Sequence, residues 1–150
     1  MLPRPVALAV LLGALILPPG CSDEKEGVPV SCRQGPGAVR SALREAPRPV
    51  TLDGTPLSDC IKDTSGGGAL QEVGEAYLTV ASELADDAAR DPGGRSALQL
   101  GYLIGAFERS RAGAQGVGFE LGRRLRSEVG RVHVRSAAFK RGERAGRRNG

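Results

Sequence analysis

Three stretches of the chain repeat apolar residues at intervals of three and four, the pattern of a helix that buries one face. In 69–90, Leu70, Val73, Tyr77, Val80 and Leu84 fall on one line, while Glu72, Glu75, Glu83 and Asp86 fall away from it. The spacing predicts an amphipathic helix, too short for a coiled-coil signal, that ends at Asp91-Pro92-Gly93-Gly94. In 95–110, Ala97, Leu98, Leu100, Tyr102, Leu103, Ile104, Ala106 and Phe107 cover nearly every direction, which predicts the most buried, central helix. Gly101 and Gly105 lie one helical turn apart there and would let a neighbouring backbone approach closely. In 116–130, Val117, Leu121, Leu125 and Val129 recur every fourth residue, with Gly118 and Gly122 forming a second smooth face. This stretch is expected to run antiparallel to the central helix, after a turn at Arg111 to Gln115, with 69–90 packed across both.

The region before residue 69 reads as short pieces. Residues 28–37 are expected to be an extended lead-in to a short helix, Ala38 to Glu45, whose Val39 and Leu43 share a face. Pro47 and Pro49 stop that helix, because neither continues the hydrogen-bond pattern. Val50 to Leu52, the Asp53-Gly54 pair and Thr55 to Leu57 predict a hairpin, since Gly tolerates the positive φ of a tight turn. Ser58 suits the N-cap of a short helix, Asp59 to Asp63, that would turn Cys60 and Ile61 inward; Thr64 to Gly68 is a flexible break. The fold class is mostly α: a small antiparallel helical bundle over residues 31–130 with a short β-hairpin.

One apolar run fits none of this. Val6 to Leu17 is unbroken and follows a positive start that includes Arg4. Its twelve residues would span about 18 Å as a helix, short of the roughly 30 Å hydrocarbon core of a bilayer. A signal peptide over residues 1–20 fits better. Its end, Gly20-Cys21, resembles the lipobox of bacterial lipoproteins, in which the cysteine is acylated on sulfur and becomes the mature N-terminus. The usual Leu three places before the cysteine is absent, for Pro18 and Pro19 precede Gly20 and Leu17 stands one place early. The resemblance implies lipidation of Cys21, an anchor and linker over residues 21–30, and a lipid-tethered protein on the outer face of a bacterial cytoplasmic membrane. Cleavage to a secreted protein and an uncleaved signal anchor are the alternatives. Ser22 to Gly27 is polar and charged, as a spacer would be.

Cysteine arithmetic follows from that resemblance. If Cys21 carries lipid, Cys32 and Cys60 remain, one pairing is open to them, and an oxidising compartment favours it; two buried free thiols are the alternative. The five aromatics, Tyr77, Tyr102, Phe107, Phe119 and Phe139, are few, so the core must be aliphatic and closely packed.

Charge is concentrated in residues 131–150, read as a basic tail. Arg131, Arg135, Lys140, Arg141, Arg144, Arg147 and Arg148 oppose Glu143 alone, giving +6, so the rest of the chain is −2 within a total of +4. Gly142, Gly146 and Asn149-Gly150 argue against a stable end, although Val132 to Phe139 could extend the last helix, so the expectation divides between a frayed, partnerless tail and one that binds anionic lipid or wall polymer. Export removes nucleic acid as a partner. Nothing in the sequence names a protein partner.

The remaining candidate chemistry is weak. Gly116-x-Gly118-x-x-x-Gly122 spaces its third glycine wrongly for a dinucleotide loop and follows no strand. Glu72 with Glu75, or Asp86 with Asp87, would be the acid–base pair of a cell-wall hydrolase, but a chain this poor in aromatics lacks platforms for sugar rings. His133 is the only histidine and stands in the basic stretch, expected in solvent near a helix end. No cysteine spacing suits a metal. The sequence therefore predicts a tethered binding or interaction module with no catalytic residues, metal or cofactor. An envelope protein with a structural role is the alternative.

Overall fold

A computed structural model describes residues 27–62, 67–110, 116–134 and 136–150. The signal stretch, Cys21, residues 63–66, the turn expected at 111–115 and Arg135 lie outside them. Over the described residues the protein is a helical bundle of five helices with one two-stranded antiparallel hairpin and a Cys32–Cys60 disulfide.

The lead-in is not extended as expected. Val30–Arg33 forms a 3-10 turn, and helix α1 (Gly35–Ala42) starts earlier than the apolar spacing suggested. Pro36 explains the early start, since a first-turn proline gives up no hydrogen bond and its φ is already helical. The helix tightens into a second 3-10 turn, Leu43–Glu45, and Val39 and Leu43 are fully buried.

Strands β1 (Thr51–Leu52) and β2 (Thr55–Pro56) pair antiparallel around Asp53 and Gly54, whose φ values of 46° and 86° make the tight turn. So short a hairpin has little stability of its own and must be held from outside. Two buried tyrosines do this: Tyr77 Oη donates to the Leu57 carbonyl at 2.8 Å, and Tyr102 Oη accepts from Val50 N at 3.0 Å. Burial pushes both phenols above their usual pKa, so they stay neutral donors and acceptors. The helix expected at Asp59 to Asp63 does not form over the described residues, which make turns closed by Asp59 N to Pro56 O and Ile61 N to Ser58 O. Ser58 does not serve as its cap; it is buried, and its hydroxyl donates to the carbonyl of Gly150. Cys60 and Ile61 nevertheless point inward, as expected.

Helix α2 (Gly68–Arg90) buries Leu70, Val73, Tyr77, Val80 and Leu84, the predicted line. Helix α3 (Arg95–Ser110) is central: Ala97 to Phe107 are all buried. Helix α4 (Gly116–Val129) corrects the expected packing, because its main contact is α2 and not α3. Leu121 lies over Gly74 of α2, while Gly122 faces the ring of Phe107.

The main partner of α3 is helix α5 (Ala137–Asn149), formed by the segment read as a tail. Ala138, Phe139, Gly142, Ala145 and Gly146 are buried against it. A Cβ on Gly142 would lie 2.8 Å from Leu98 C and 2.9 Å from Tyr102 N, and one on Gly146 would lie 2.8 Å from Ala106 N. In return, Gly101 and Gly105 meet the backbone of Phe139, Glu143 and Arg147. Rising numbers on one helix meet rising numbers on the other, so the two run parallel, with each glycine seated between two turns of its neighbour. The glycines that argued against order are the reason the helices fit: without Cβ atoms, backbones make the contact along the whole length. The Ser136 side chain caps α5 by accepting from Phe139 N at 3.2 Å. Ser136→Ala is expected to lower unfolding free energy in urea by about 1 kcal/mol, and Ser136→Asp to restore it. An unchanged midpoint would mean that this cap contributes nothing to stability.

Candidate basic surface

Because small residues occupy the inner side of α5, its long cationic side chains share the outer side. Ala138, Gly142, Ala145 and Gly146 face α3, and Lys140, Arg141, Arg144, Arg147 and Arg148 are exposed. The helix holds five cations against Glu143.

These cations are not equivalent. Arg147 is held by Glu108 at 2.6 Å and by Glu143. Arg109 of α3 donates to the carbonyls of Arg147 and Arg148 at 3.2 and 2.9 Å, so it closes the C-terminal turn, where helix carbonyls lack partners. Lys140, Arg141, Arg144 and Arg148 form no ion pair among the described residues. Lys140, Arg144 and Arg148 follow one another at four-residue spacing, a line about 12 Å long, with Arg141 in the adjacent row. Arg131 does not belong to this surface. It reaches Asp86 at 3.3 Å, Ser82 at 3.1 Å and Glu128, fastening the end of α4 to α2. Arg135 lies outside the described residues. The structure thus gathers Lys140, Arg141, Arg144, Arg147 and Arg148 on one rigid face and sends Arg131 to another task.

No family model, curated protein or solved structure matches the chain.

The other sequence candidates are engaged elsewhere. Glu72 pairs with Arg33 at 3.0 Å and Glu75 accepts from Gln71 at 3.2 Å, both in solvent. Asp86 is bound to Arg131. Asp87 receives Arg40 at 3.1 Å, Arg90 at 2.5 Å and Ser96 at 3.3 Å, and the hydrogen bond from Arg40 leads the causes that lower its pKa. It joins α1, α2 and the start of α3 as an anion, an unsuitable state for a general acid. His133 is exposed in the turn before α5. Among the described residues no group of histidine, cysteine and carboxylate side chains is placed to hold a metal, and no helix is long and apolar enough to cross a membrane.

Two recesses flank the basic face. One, of about 660 Å³, lies toward its C-terminal end, where Lys62, Arg109 and Arg147 are interleaved with Asp59 and Glu108. The other, of about 430 Å³, lies where Arg141 meets the start of α3 and the Ala46-Pro47 segment. Sequence reasoning missed this face as a built surface because it counted the glycines as helix breakers. The repeat Gly142, Gly146, Gly150, matching Gly101 and Gly105, was the available signal.

Proposed function

We propose that the chain is an envelope lipoprotein, exported, acylated at Cys21 and held at the outer face of a bacterial cytoplasmic membrane. Its helical domain is an interaction module whose contact surface is the cationic face of α5, and the surface it meets is the anionic headgroup layer of the same membrane. The observation that carries this reading is the row Lys140, Arg144 and Arg148, with Arg141 beside it: exposed, free of ion pairs among the described residues, and set on a helix docked backbone to backbone. A flexible tail would lose conformational entropy on binding, whereas this row is already ordered. Each cation near a negative membrane contributes at most about 1 kcal/mol, so four give up to about 4 kcal/mol at low salt. That is weak for a free protein and ample for a tethered one, whose local concentration at the membrane is high.

The test uses the full chain reconstituted through its anchor into phosphatidylcholine vesicles with and without phosphatidylglycerol. Lys140 should react more slowly with an amine-acylating reagent on the anionic vesicles, by about threefold, and regain its reactivity in 0.5 M salt, where screening over about 4 Å removes the attraction. Equal reactivity on both vesicles would overturn the surface assignment. An intact mass without acyl chains on the membrane-extracted protein would overturn the anchor.

A further inference from the structure

The recess at the N-terminal end of the basic face has a composition unlike the rest of the surface. Its apolar lining is Ala46, Pro47 and Leu98, and its charged lining residues are Arg95 of α3 and Arg141 of α5. No carboxylate lines it, and neither arginine forms an ion pair among the described residues. Arg95 is held in place because it donates to the carbonyl of Arg44, while Arg141 is exposed and lines the opening without an ion pair among the described residues. Two guanidiniums lining one recess repel each other unless an anion lies between them. Planar forks of this kind suit the oxygens of a phosphate, which take paired N–H donors. At about 430 Å³ the recess is near the lower end of small-molecule sites, so the group it takes is small.

We propose that this recess binds a glycerophosphate group. The phosphate lies between Arg95 and Arg141, and the three-carbon chain rests on Ala46, Pro47 and Leu98. The proposal deepens the membrane-surface reading and rests on it, naming the headgroup that the basic face would select. The same chemistry is offered by an anionic glycerophospholipid and by a free glycerol phosphate, so the experiment includes both.

The full chain in neutral detergent is titrated with glycerol 3-phosphate and, separately, with glycerol, and followed by calorimetry. Saturable one-to-one binding of the phosphate ester alone is expected. Arg95→Gln and Arg141→Gln should each weaken it about tenfold, the cost of one charge-assisted hydrogen bond, while Arg126→Gln, exposed on α4 and not lining the recess, should change it less than twofold. Arg141 has no partner to lose, so its variant tests the recess without threatening the fold. Tighter binding to phosphatidylglycerol in mixed micelles than to the free ester would identify the lipid as the source. Equal affinity would identify the soluble ester. Absence of saturation, or equal weakening by all three variants, would overturn the proposal. The two readings fail separately: Lys140 protection on anionic vesicles that survives Arg95→Gln, with no glycerol 3-phosphate binding, sinks the recess alone, whereas saturable glycerol 3-phosphate binding with equal Lys140 reactivity on both vesicles sinks the surface reading.

Discussion

Gly142→Ala is expected to destabilise the protein by about 3 kcal/mol, the upper range for forcing an extra methyl group into a packed interior. The direction matters as much as the size. In an exposed helix the same change stabilises by up to about 1 kcal/mol, because alanine loses less backbone freedom than glycine. Gly142 is different because its missing Cβ is replaced by the backbone of α3: Leu98 C at 2.8 Å and Tyr102 N at 2.9 Å, with the Leu98 carbonyl oxygen nearer still. None of these atoms can rotate away as a side chain would, so the helices must separate along their length. Gly37, in α1, is the internal control. A Cβ there meets nothing within 4 Å, so Gly37→Ala should stabilise. Urea unfolding of the two variants, with m-values compared, gives opposite signs if the interface is as described. Stabilisation by both would mean that α5 is a solvated helix.

The long elements were legible because hydrophobic periodicity reports a side chain buried on one face. Leu70 through Leu84 and Ala97 through Phe107 marked two helices whose cores lie where the spacing put them. Asp53-Gly54 marked its hairpin by a local φ requirement, which needs no knowledge of the rest of the fold. Two other features depend on partners distant in sequence. Ser58 has the right residue type for a cap, yet its hydroxyl goes to Gly150, a choice made only when α5 docks. The end of the chain was misjudged for the same reason: α5 buries little apolar area beyond Phe139, Ala138 and Ala145, so a pattern built on large hydrophobic residues does not register it. What identifies α5 is the match between its glycine spacing and that of α3. The basic face is a by-product of that match, since a helix with small residues inside carries its large residues outside. Arg131 shows the limit of counting charge along a sequence, because its position, and not its type, removes it from the surface.

Breaking the Cys32–Cys60 bond should cost slightly more than filling the glycine contact, and through the unfolded state. The two cysteines are 28 residues apart, and a closed loop of that length stabilises by about 3.6 kcal/mol in the chain-entropy model. Against the 5–15 kcal/mol total of an ordinary domain, that is a large share. The bond joins the 3-10 turn at Val30–Arg33 to the turn after β2, in the part of the chain with least regular structure of its own. Cys32 and Cys60 are buried in the same apolar core as Val39, Leu57 and Ile61, so reduction leaves a packed but untethered corner. Cys32→Ala with Cys60→Ala should therefore lower the unfolding free energy by about 3.6 kcal/mol and raise the urea m-value, since the unfolded chain is no longer cross-linked. The α3–α5 contact depends on neither sulfur and touches this corner only through the hydrogen bond from Ser58 to Gly150, so protection of Lys140 on anionic vesicles should be retained in this variant wherever it remains folded. A loss below about 1 kcal/mol would mean that the corner is held by its core contacts and its two tyrosine hydrogen bonds alone.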